Sequence, residues 1–299
     1  MVLPLNPLDI SSTSLFWLGL GDSPIYGIIL KLFYINILKY NKIDNSRLDS
    51  EVILSNILNI SRETLLIKEL DISEKEITKF KSLIFRRSKL EPVAYILKKK
   101  EFRSRDFFVD SKSLIPRPET ELLIDPIIKI FQKKNLFFLD AGVGTGCITS
   151  SILNELKHSR GIGIDICNRT LINAEINLKK FKNRVKLIRR SIEDIRNIKF
   201  DLIVSNPPYV RKREINRLSG DIKKFEPKIA LDGGNDGLDV IKKVIYKSKY
   251  ILKSNGILAL EIGTGQYLSV MKLLRASNFR KKILIKDYRN NVRCIFSTL

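Results

Sequence analysis

Apolar residues recur with a helical period through the first hundred residues of the chain. One apolar run extends from Ile25 to Leu38, and another apolar face begins near Leu48. This spacing predicts amphipathic helices from about Ile25 to Leu97, arranged as a small bundle of four or five. The first run is shorter than the roughly 20 residues that a membrane-spanning helix needs, so we expect a buried helix and no membrane anchor.

Polar residues predict where two of these helices begin. Asp49 and Ser50 are capping candidates for the helix that carries Leu48. Ser73 is followed three positions later by Glu76, and this pair predicts a capping box, in which each side chain bonds the backbone N–H of the other residue. We therefore expect one helix to start near Asp49 and another just after Ser73.

The periodicity changes after the helical part. From Phe102 to Ile115, short aromatic and β-branched runs predict a β-hairpin that links two domains. Pro118 then occupies a position that can open a helix. From Leu136 onward, apolar strands alternate with helical segments, which predicts a parallel sheet with helices on both faces.

These patterns divide the chain into four expected segments. Residues 1–24 form an N-terminal extension, compatible with disorder, and residues 25–100 form a helical domain. Residues 101–118 are the hairpin linker, and residues 119–299 form the α/β domain. The first 24 residues do not carry the basic leader of a signal peptide, so we expect no secretory signal.

Composition restricts the possible chemistry. Cys147, Cys167 and Cys294 lie far apart and form no C-x-x-C pair, so neither a disulfide framework nor a zinc site is expected. His158 is the only histidine, which argues against histidine-based triads and histidine-rich metal sites. The net charge of +22 is compatible with a polyanionic partner and equally with a solvated basic surface.

A glycine-rich loop follows the first predicted strand, Leu136–Leu139. It spans Asp140-Ala141-Gly142-Val143-Gly144-Thr145-Gly146 and precedes a predicted helix from about Cys147 to Leu156. Glycines let the backbone turn tightly and approach a ligand at a helix N-terminus. A dinucleotide fingerprint would need its third glycine at the position of Cys147. The spacing D-x-G-x-G-x-G is instead typical of methyltransferases that use S-adenosylmethionine.

Two further turns are candidates for cofactor contacts. The second predicted strand, Gly161–Ile164, ends at Asp165, which is at the right distance for a carboxylate that binds ribose hydroxyls. A helix cap is the alternative role for Asp165. After the next strand, Ser191 and Ile192 occupy the places where adenine is expected. An acidic contact to the adenine amine would then come from Glu193 or Asp194 or would be absent.

Asn206-Pro207-Pro208-Tyr209 is the most informative motif of the chain. It follows the apolar stretch Phe200–Ser205, which predicts a buried strand. Asn206 Oδ1 and the Pro207 carbonyl can each accept one N–H of an NH2 group, and the Tyr209 ring can stack on a planar group. Because such a nitrogen is a weak nucleophile, the site must orient it toward an electrophilic methyl group. Alone, the motif fits a nucleobase amine as well as a glutamine amide.

Motifs elsewhere in the chain narrow the substrate. They are Asn45-Ser46-Arg47-Leu48-Asp49-Ser50-Glu51, Glu91-Pro92-Val93-Ala94-Tyr95-Ile96, Leu114-Ile115-Pro116-Arg117-Pro118-Glu119-Thr120, Glu226-Pro227, Ala230-Leu231-Asp232-Gly233-Gly234, Gly237-Leu238 and Ala259-Leu260-Glu261-Ile262-Gly263. Together with the glycine loop and Asn206–Tyr209, they resemble the PrmC/HemK family of peptide release factor N5-glutamine methyltransferases, from about Leu32 to the C-terminus. The chain departs from that family's pattern at Leu90, where glycine is common.

The resemblance implies a fold, an activity and a setting. The fold is a class I S-adenosylmethionine-dependent methyltransferase, an α/β fold with a Rossmann-like sheet, preceded by a small all-α domain that would dock the substrate protein. The activity is methyl transfer from S-adenosyl-L-methionine to the glutamine amide nitrogen of the Gly-Gly-Gln motif in class-1 peptide chain release factors. The family implies a bacterial cytoplasmic protein, and we expect no stable nucleic-acid binding and no membrane partner. A nucleic-acid amine methyltransferase, of the adenine N6 type, is the alternative.

The resemblance also implies roles for single residues. The predicted cofactor-binding residues are Gly142, Val143, Gly144, Thr145, Gly146, Asp165, Ile192 and Asn206. The predicted catalytic residues are Asn206, Pro207 and Tyr209, and those that bind the substrate glutamine are Asn206, Pro207, Pro208 and Tyr209. No metal is expected among them.

Overall fold

The computed structural model describes residues 24–68, 71–280 and 282–299. The chain divides into two compact units between Leu97 and Lys98. The predicted N-terminal extension lies outside the described residues, apart from Pro24, which begins the first helix. Within the described ranges, no helix has both the length and the apolar character needed to cross a membrane.

The first unit is helical in its described part, as its periodicity predicts. Its core is built from fully buried side chains on three of the helices, including Leu38, Leu54 and Phe80. Its helices are α1 (Pro24–Tyr40), α2 (Ser46–Leu58), α3 (Arg62–Ile67), α4 (Glu74–Ser88) and α5 (Val93–Leu97).

The predicted helix starts are right for α4 and wrong for α2. Glu76 N donates to Ser73 Oγ at 3.4 Å and Ser73 N donates to Glu76 Oε2 at 2.9 Å, which is the predicted capping box. Helix α2 begins earlier than expected, at Ser46, so Asp49 lies inside it. The Asp49 carboxylate does not cap the helix and instead accepts a 2.7 Å hydrogen bond from Arg87 Nε, because a partly buried charge needs a partner.

Leu90 has a left-handed backbone conformation, with φ 75°. Its N–H donates to the Arg87 carbonyl at 2.8 Å just after the end of α4. Glycine is favoured in this conformation because a Cβ atom is strained there. Leucine in place of the glycine that is common in the family therefore adds backbone strain at this position.

The second unit starts with a β-hairpin formed by β1 (Lys99–Phe102) and β2 (Arg105–Phe108). The prediction of a hairpin from Phe102 to Ile115 was wrong in its position. The chain reverses at Arg103 and Ser104, which have φ values of 49° and 54°. Neither is a glycine, so the sequence carries no clear turn signal at this point.

A seven-stranded sheet forms the centre of the second unit. Its strands are β3 (Phe137–Ala141), β4 (Arg160–Asp165), β5 (Val185–Arg189), β6 (Phe200–Ser205), β7 (Leu252–Glu261), β8 (Lys282–Lys286) and β9 (Val292–Thr298). Their order across the sheet is β5-β4-β3-β6-β7-β9-β8. The expected all-parallel sheet is wrong for β9, which runs antiparallel to both β7 and β8. A short loop joins β8 to β9, and such a loop permits only an antiparallel return.

Two hydrophobic clusters form the core of this unit, one including Phe138 of β3 and the other its neighbour Leu139. Because adjacent residues of a strand point to opposite faces, both faces of the sheet are covered, as predicted. The α-helices of the unit are α6 (Ile124–Phe131), α7 (Cys147–Glu155), α8 (Asn168–Leu178), α9 (Lys212–Ile215), α10 (Gly220–Phe225), α11 (Asp239–Ile251) and α12 (Tyr267–Ala276). One single-turn 3₁₀ helix spans Ile192–Asp194. A longer 3₁₀ helix, Pro118–Leu123, leads into α6, and Pro118 lies in its first turn, as predicted.

The carboxyl ends of β3, β4, β6 and β7 meet at one edge of the sheet. Ser205, the last residue of β6, donates a 2.6 Å hydrogen bond from Oγ to the Ala141 carbonyl at the end of β3. Ser205 also pairs with Leu260 near the end of β7. Ligands of open α/β sheets bind at this edge, where Asp165 ends β4 and the glycine loop and Asn206 follow β3 and β6.

Candidate active site

A cavity of about 560 Å³ opens at this edge of the second unit. Most of the residues predicted to bind cofactor or substrate line it. They are Gly142, Val143, Gly144, Thr145, Asp165, Ile192, Asn206, Pro207 and Pro208. Gly146 and Tyr209 are not among the lining residues and have other surroundings, described below.

The glycine loop has three left-handed residues, which explains its composition. Gly142, Gly144 and Gly146 have φ values of 81°, 55° and 79°. A Cβ atom added to Gly142 would meet nothing within 4 Å, so the backbone here is open to the cavity. A Cβ atom on Gly146 would lie 2.9 Å from Leu178 Cδ1. Gly142 thus allows a ligand to approach, whereas Gly146 allows the loop to pack against α8.

Asp165 combines a structural role with exposure to the cavity. Its Oδ1 accepts from Cys167 N at 2.9 Å, and its Oδ2 accepts from Gly144 N at 3.3 Å. Burial raises the pKa of this carboxyl, and the backbone hydrogen bonds oppose that rise. Since Asp165 also lines the cavity, it holds the glycine loop in place and retains acceptor capacity toward a ligand.

Asp140, the first residue of the loop motif, is fully buried. Its Oδ2 accepts a 2.6 Å hydrogen bond from Thr149 Oγ1, while Oδ1 has no partner among the described residues. Burial raises the pKa of Asp140 to about 7, against the opposing effect of Thr149. Asp140 does not line the cavity, whereas Asp165 and the open backbone at Gly142 do, and a carboxylate acceptor beside accessible backbone suits a ligand with ribose hydroxyls such as S-adenosylmethionine. These residues therefore fit that cofactor.

The turn after β5 supplies an apolar contact. Ile192 is buried and lines the cavity. Glu193 Oε2 accepts from Lys243 Nζ at 2.8 Å, and Glu193 N donates to Ser191 Oγ at 3.3 Å. The carboxylate of Glu193 is thus already paired with a lysine, and an acidic contact from this turn to adenine stays a prediction.

Asn206 has a defined hydrogen-bond partner on one side only. Its Nδ2 donates to Thr120 Oγ1 at 3.0 Å, and Thr120 Oγ1 donates in turn to Glu261 Oε2 at 2.7 Å. Within the described residues, Asn206 Oδ1 and the Pro207 carbonyl accept no hydrogen bond. Two acceptors therefore stand unpaired at the wall of the cavity, next to the glycine loop.

Tyr209 is held by its hydroxyl. The hydroxyl donates to Glu261 Oε1 at 3.2 Å and accepts a hydrogen bond from Arg293 Nη2, also at 3.2 Å. The Arg293 guanidinium carbon lies 5.6 Å from the centre of the Tyr209 ring. Burial and the nearby Glu261 raise the pKa of Tyr209 to about 12, so the phenol stays neutral. Stacking of this ring on a substrate stays a prediction.

Three glycines make room for the backbone of Pro208 and Tyr209. A Cβ atom on Gly233 would lie 2.8 Å from the Pro208 carbonyl oxygen and the Tyr209 Cα atom. On Gly237 it would meet the Tyr209 carbonyl oxygen at 2.5 Å, and on Gly263 it would meet the Tyr209 ring at 3.0 Å. Only residues without a side chain fit against this turn, which explains why glycine-containing motifs occur so far from it in sequence.

Comparison with known proteins agrees with this arrangement. Residues 34–97 match the family model described as the PrmC N-terminal domain, and residues 118–221 match the methyltransferase small domain. A release factor glutamine methyltransferase of Buchnera aphidicola from Schizaphis graminum is 37% identical over 86% of this chain and 94% of its own length. One from Fusobacterium nucleatum is 36% identical over 87% of this chain and 75% of its own. The chain belongs to the release factor glutamine methyltransferase family.

Membership of this family confirms two predictions from the sequence. The family resemblance is right, and so is the class I methyltransferase fold with a helical N-terminal part. The family depends on S-adenosylmethionine, and the residues of the glycine loop and its surroundings fit that cofactor as described above. Within the described ranges, no group of three or more His, Cys, Asp or Glu side chains could hold a metal ion.

Three residues of the site carry no predicted role from sequence reasoning. Thr120 and Glu261 belong to family motifs, and Arg293 lies on β9, outside every motif. Glu261 is fully buried, and its pKa is raised by burial to about 7, while Thr120 and Arg293 oppose that rise. The sequence does carry one signal for Glu261. This polar residue ends an apolar strand, just as Asn206 comes directly after one, and such positions lie at the ligand-binding edge of the sheet. Arg293 carried no comparable signal.

Proposed function

We propose that this chain transfers a methyl group from S-adenosyl-L-methionine to the side-chain amide nitrogen of the glutamine in the Gly-Gly-Gln motif of class-1 peptide release factors. The observation that carries the proposal is the pair of unpaired acceptors, Asn206 Oδ1 and the Pro207 carbonyl, on a cavity that the glycine loop also lines. The names of the curated relatives support this substrate class.

The two acceptors suit an NH2 group that has to be oriented. An amide nitrogen has two N–H donors, and its lone pair is delocalised into the carbonyl. When one N–H donates to Asn206 Oδ1 and the other to the Pro207 carbonyl, the orientation of the amide group is fixed. The side of the nitrogen that has to meet the methyl group then points away from both acceptors. Orientation of this kind can contribute effective molarities of about 10⁵ M or more in favourable cases.

S-adenosylmethionine, when bound, would supply an electrophilic methyl group on a positively charged sulfur, so that the C–S bond would break as the N–C bond forms and the neutral thioether would leave. Gly142 to Thr145 would hold its methionine part, Asp165 its ribose, and Ile192 would lie against its adenine. No side chain needs to remove the amide proton before transfer, since it can leave to water afterwards. The chain's own contribution is therefore the positioning of the amide nitrogen.

The helical unit has a proposed role of its own. Residues 34–97 match the PrmC N-terminal domain, and we assign to this unit the recognition of the release factor outside its Gly-Gly-Gln loop. The proposed setting is the bacterial cytoplasm. Nucleic acid is not a proposed substrate, because nucleic-acid amine methyltransferases usually carry a target-recognition module and the extra module of this chain, residues 34–97, matches the PrmC N-terminal domain.

A labelled-methyl transfer assay tests the proposal. It offers a release factor, its Gly-Gly-Gln→Gly-Gly-Ala variant, and unmethylated DNA and RNA, each with labelled S-adenosylmethionine. We expect label only on the unaltered release factor. The Asn206→Ala variant should lose transfer by about 100-fold or more, a larger effect than its loss of cofactor affinity in calorimetry. Label on nucleic acid but not on the release factor would overturn the proposal in favour of the nucleic-acid alternative.

A further inference from the structure

Four buried or partly buried side chains behind Asn206 form one connected set. We call Thr120, Glu261, Tyr209 and Arg293 the amide-orienting network. Thr120 Oγ1 and the Tyr209 hydroxyl donate to opposite oxygens of Glu261, at 2.7 and 3.2 Å. Arg293 approaches the same carboxylate at 3.6 Å and forms a 3.2 Å hydrogen bond to the Tyr209 hydroxyl.

The direction of each hydrogen bond in this network follows from proton counting. Above its pKa of about 7, the Glu261 carboxylate is ionised and only accepts hydrogen bonds, so it takes the single hydroxyl hydrogen of Thr120. Thr120 Oγ1 is then left with lone pairs and can only accept from Asn206. The group of Asn206 that faces Thr120 must therefore be its NH2 group, in agreement with the 3.0 Å hydrogen bond from Asn206 Nδ2 to Thr120 Oγ1. Asn206 Oδ1 is turned to the other side.

We infer that the amide-orienting network fixes Asn206 with Oδ1 toward the substrate and so makes the site select an NH2 donor over a carboxylate. Resting on the proposed function, this names the basis for preferring glutamine to glutamate. A carboxylate in the same place would set its oxygens against Asn206 Oδ1 and the Pro207 carbonyl, which both only accept. Discrimination of this kind depends on the repulsive contact as much as on the attractive one.

The network is built to keep this orientation. Thr120, Glu261 and Arg293 are 2%, 0% and 8% exposed, so water does not compete for their hydrogen bonds. Rotating the Asn206 amide by half a turn would face Oδ1 with the lone pairs of Thr120 and leave Nδ2 without that acceptor. Two acceptors in contact beside the buried Thr120 and Glu261 are unfavourable, which keeps the reversed state little populated. These are positioning residues, since they act through Asn206.

Removal of the Thr120 hydroxyl tests the inference. Thr120→Val keeps the shape of the side chain but lets the Asn206 amide adopt both orientations. The assay runs above the pKa of Glu261, at about pH 8.5, with a release factor as substrate and its Gly-Gly-Gln→Gly-Gly-Glu variant as a competitive inhibitor. We expect kcat for Thr120→Val to fall about tenfold. We also expect the ratio of the inhibition constant of the Gly-Gly-Glu variant to the KM of the release factor to fall about tenfold, which means that selectivity for the amide is lost. Cofactor affinity by calorimetry should not change.

Three further variants give the controls. Thr120→Ser retains the hydroxyl and should restore both the rate and the selectivity to within about threefold of the parent chain. Thr298→Val, a partly buried threonine on β9 away from the network, should behave as the parent chain. If Thr120→Val does not fold, Glu261→Gln is the substitute, because a carboxamide can donate to Thr120 and so allow the reversed Asn206 orientation.

The outcomes separate this inference from the proposed function. A parent chain that does not methylate the release factor refutes the proposed function itself. A parent chain that does, together with a Thr120→Val variant of unchanged selectivity, overturns the inference even if the rate falls, since a merely structural role would lower the rate alone. A selectivity shift in Thr120→Val that Thr120→Ser reverses supports it.

Discussion

At the scale of single residues, the buried Asp140 links folding stability to pH. Burial raises its pKa to about 7 in the folded chain, whereas an unfolded aspartate titrates at about 4. Between these values, the unfolded chain has released the proton and the folded chain still binds it. The free energy of unfolding therefore falls as pH rises through this window and levels off above about pH 7.

Replacing Asp140 with a neutral side chain should remove the contribution of Asp140 to this dependence, while the buried Glu261, whose pKa is also raised to about 7, keeps its own in both chains. In the absence of cofactor, we expect the stability of Asp140→Asn relative to the parent chain to rise by about 2 kcal/mol between pH 5 and pH 8. Urea unfolding followed by circular dichroism at both pH values measures it. Thr149→Val keeps the carboxyl and should keep the decline. A difference between Asp140→Asn and the parent chain that does not change with pH would refute the raised pKa.

At the scale of elements, two of the three left-handed glycines in the loop between β3 and α7 differ in their surroundings. Gly142 faces open space, and Gly146 faces Leu178. Alanine at either position incurs backbone strain of about 1–2 kcal/mol. We expect Gly142→Ala to weaken S-adenosylmethionine binding more, and Gly146→Ala to lower the free energy of unfolding more. Calorimetry and urea unfolding of both variants test this, and the reverse ranking would contradict it.

Helix α4 offers a second prediction at this scale. Its start is satisfied by the reciprocal bonds of Ser73 and Glu76. Ser73→Ala should lower the free energy of unfolding by about 1 kcal/mol, because a backbone N–H in the first turn loses its acceptor. Ser88, the last residue of the same helix, donates only to the Phe85 carbonyl. Ser88→Ala should change stability by less than about 0.5 kcal/mol, and an equal loss in both variants would argue against the cap.

For the whole molecule, the main unexplained property is the net charge of +22. Some lysines of the described part have local partners, such as Lys253 with Asp201 at 2.9 Å. Others extend a positive field that attracts polyanions without sequence preference. Such binding is driven by release of counterions and weakens steeply with salt.

We expect duplex DNA to bind this chain at 50 mM salt and to lose about 100-fold or more in affinity at 200 mM. Fluorescence anisotropy with a labelled duplex measures this at both salt concentrations. Methyl transfer to the release factor, run in parallel, should retain most of its rate because positioning in the cavity does not depend on long-range charge. Duplex binding that survives 200 mM salt and depends on sequence would favour a nucleic-acid substrate.

How much was predictable from sequence varied with the range of the interactions. The capping box at Ser73, the strand before Asn206 and the glycine loop were all correct, because each depends on residues close together in the chain. The hairpin was misplaced because its turn uses Arg103 and Ser104 in place of glycine. The antiparallel strand β9 was missed because an apolar strand carries no mark of its direction.

The sequence by itself determined the two kinds of secondary structure, the motif that ends β6 and, through motifs spread along the chain, the family. Local periodicity and backbone chemistry suffice for the elements. Only the tertiary structure decided which side chains support Asn206. Its hydrogen bond to Thr120 spans 86 positions, and that from Thr120 to Glu261 spans 141. Contacts between residues so far apart arise from the order of strands in the sheet, and no local pattern encodes them.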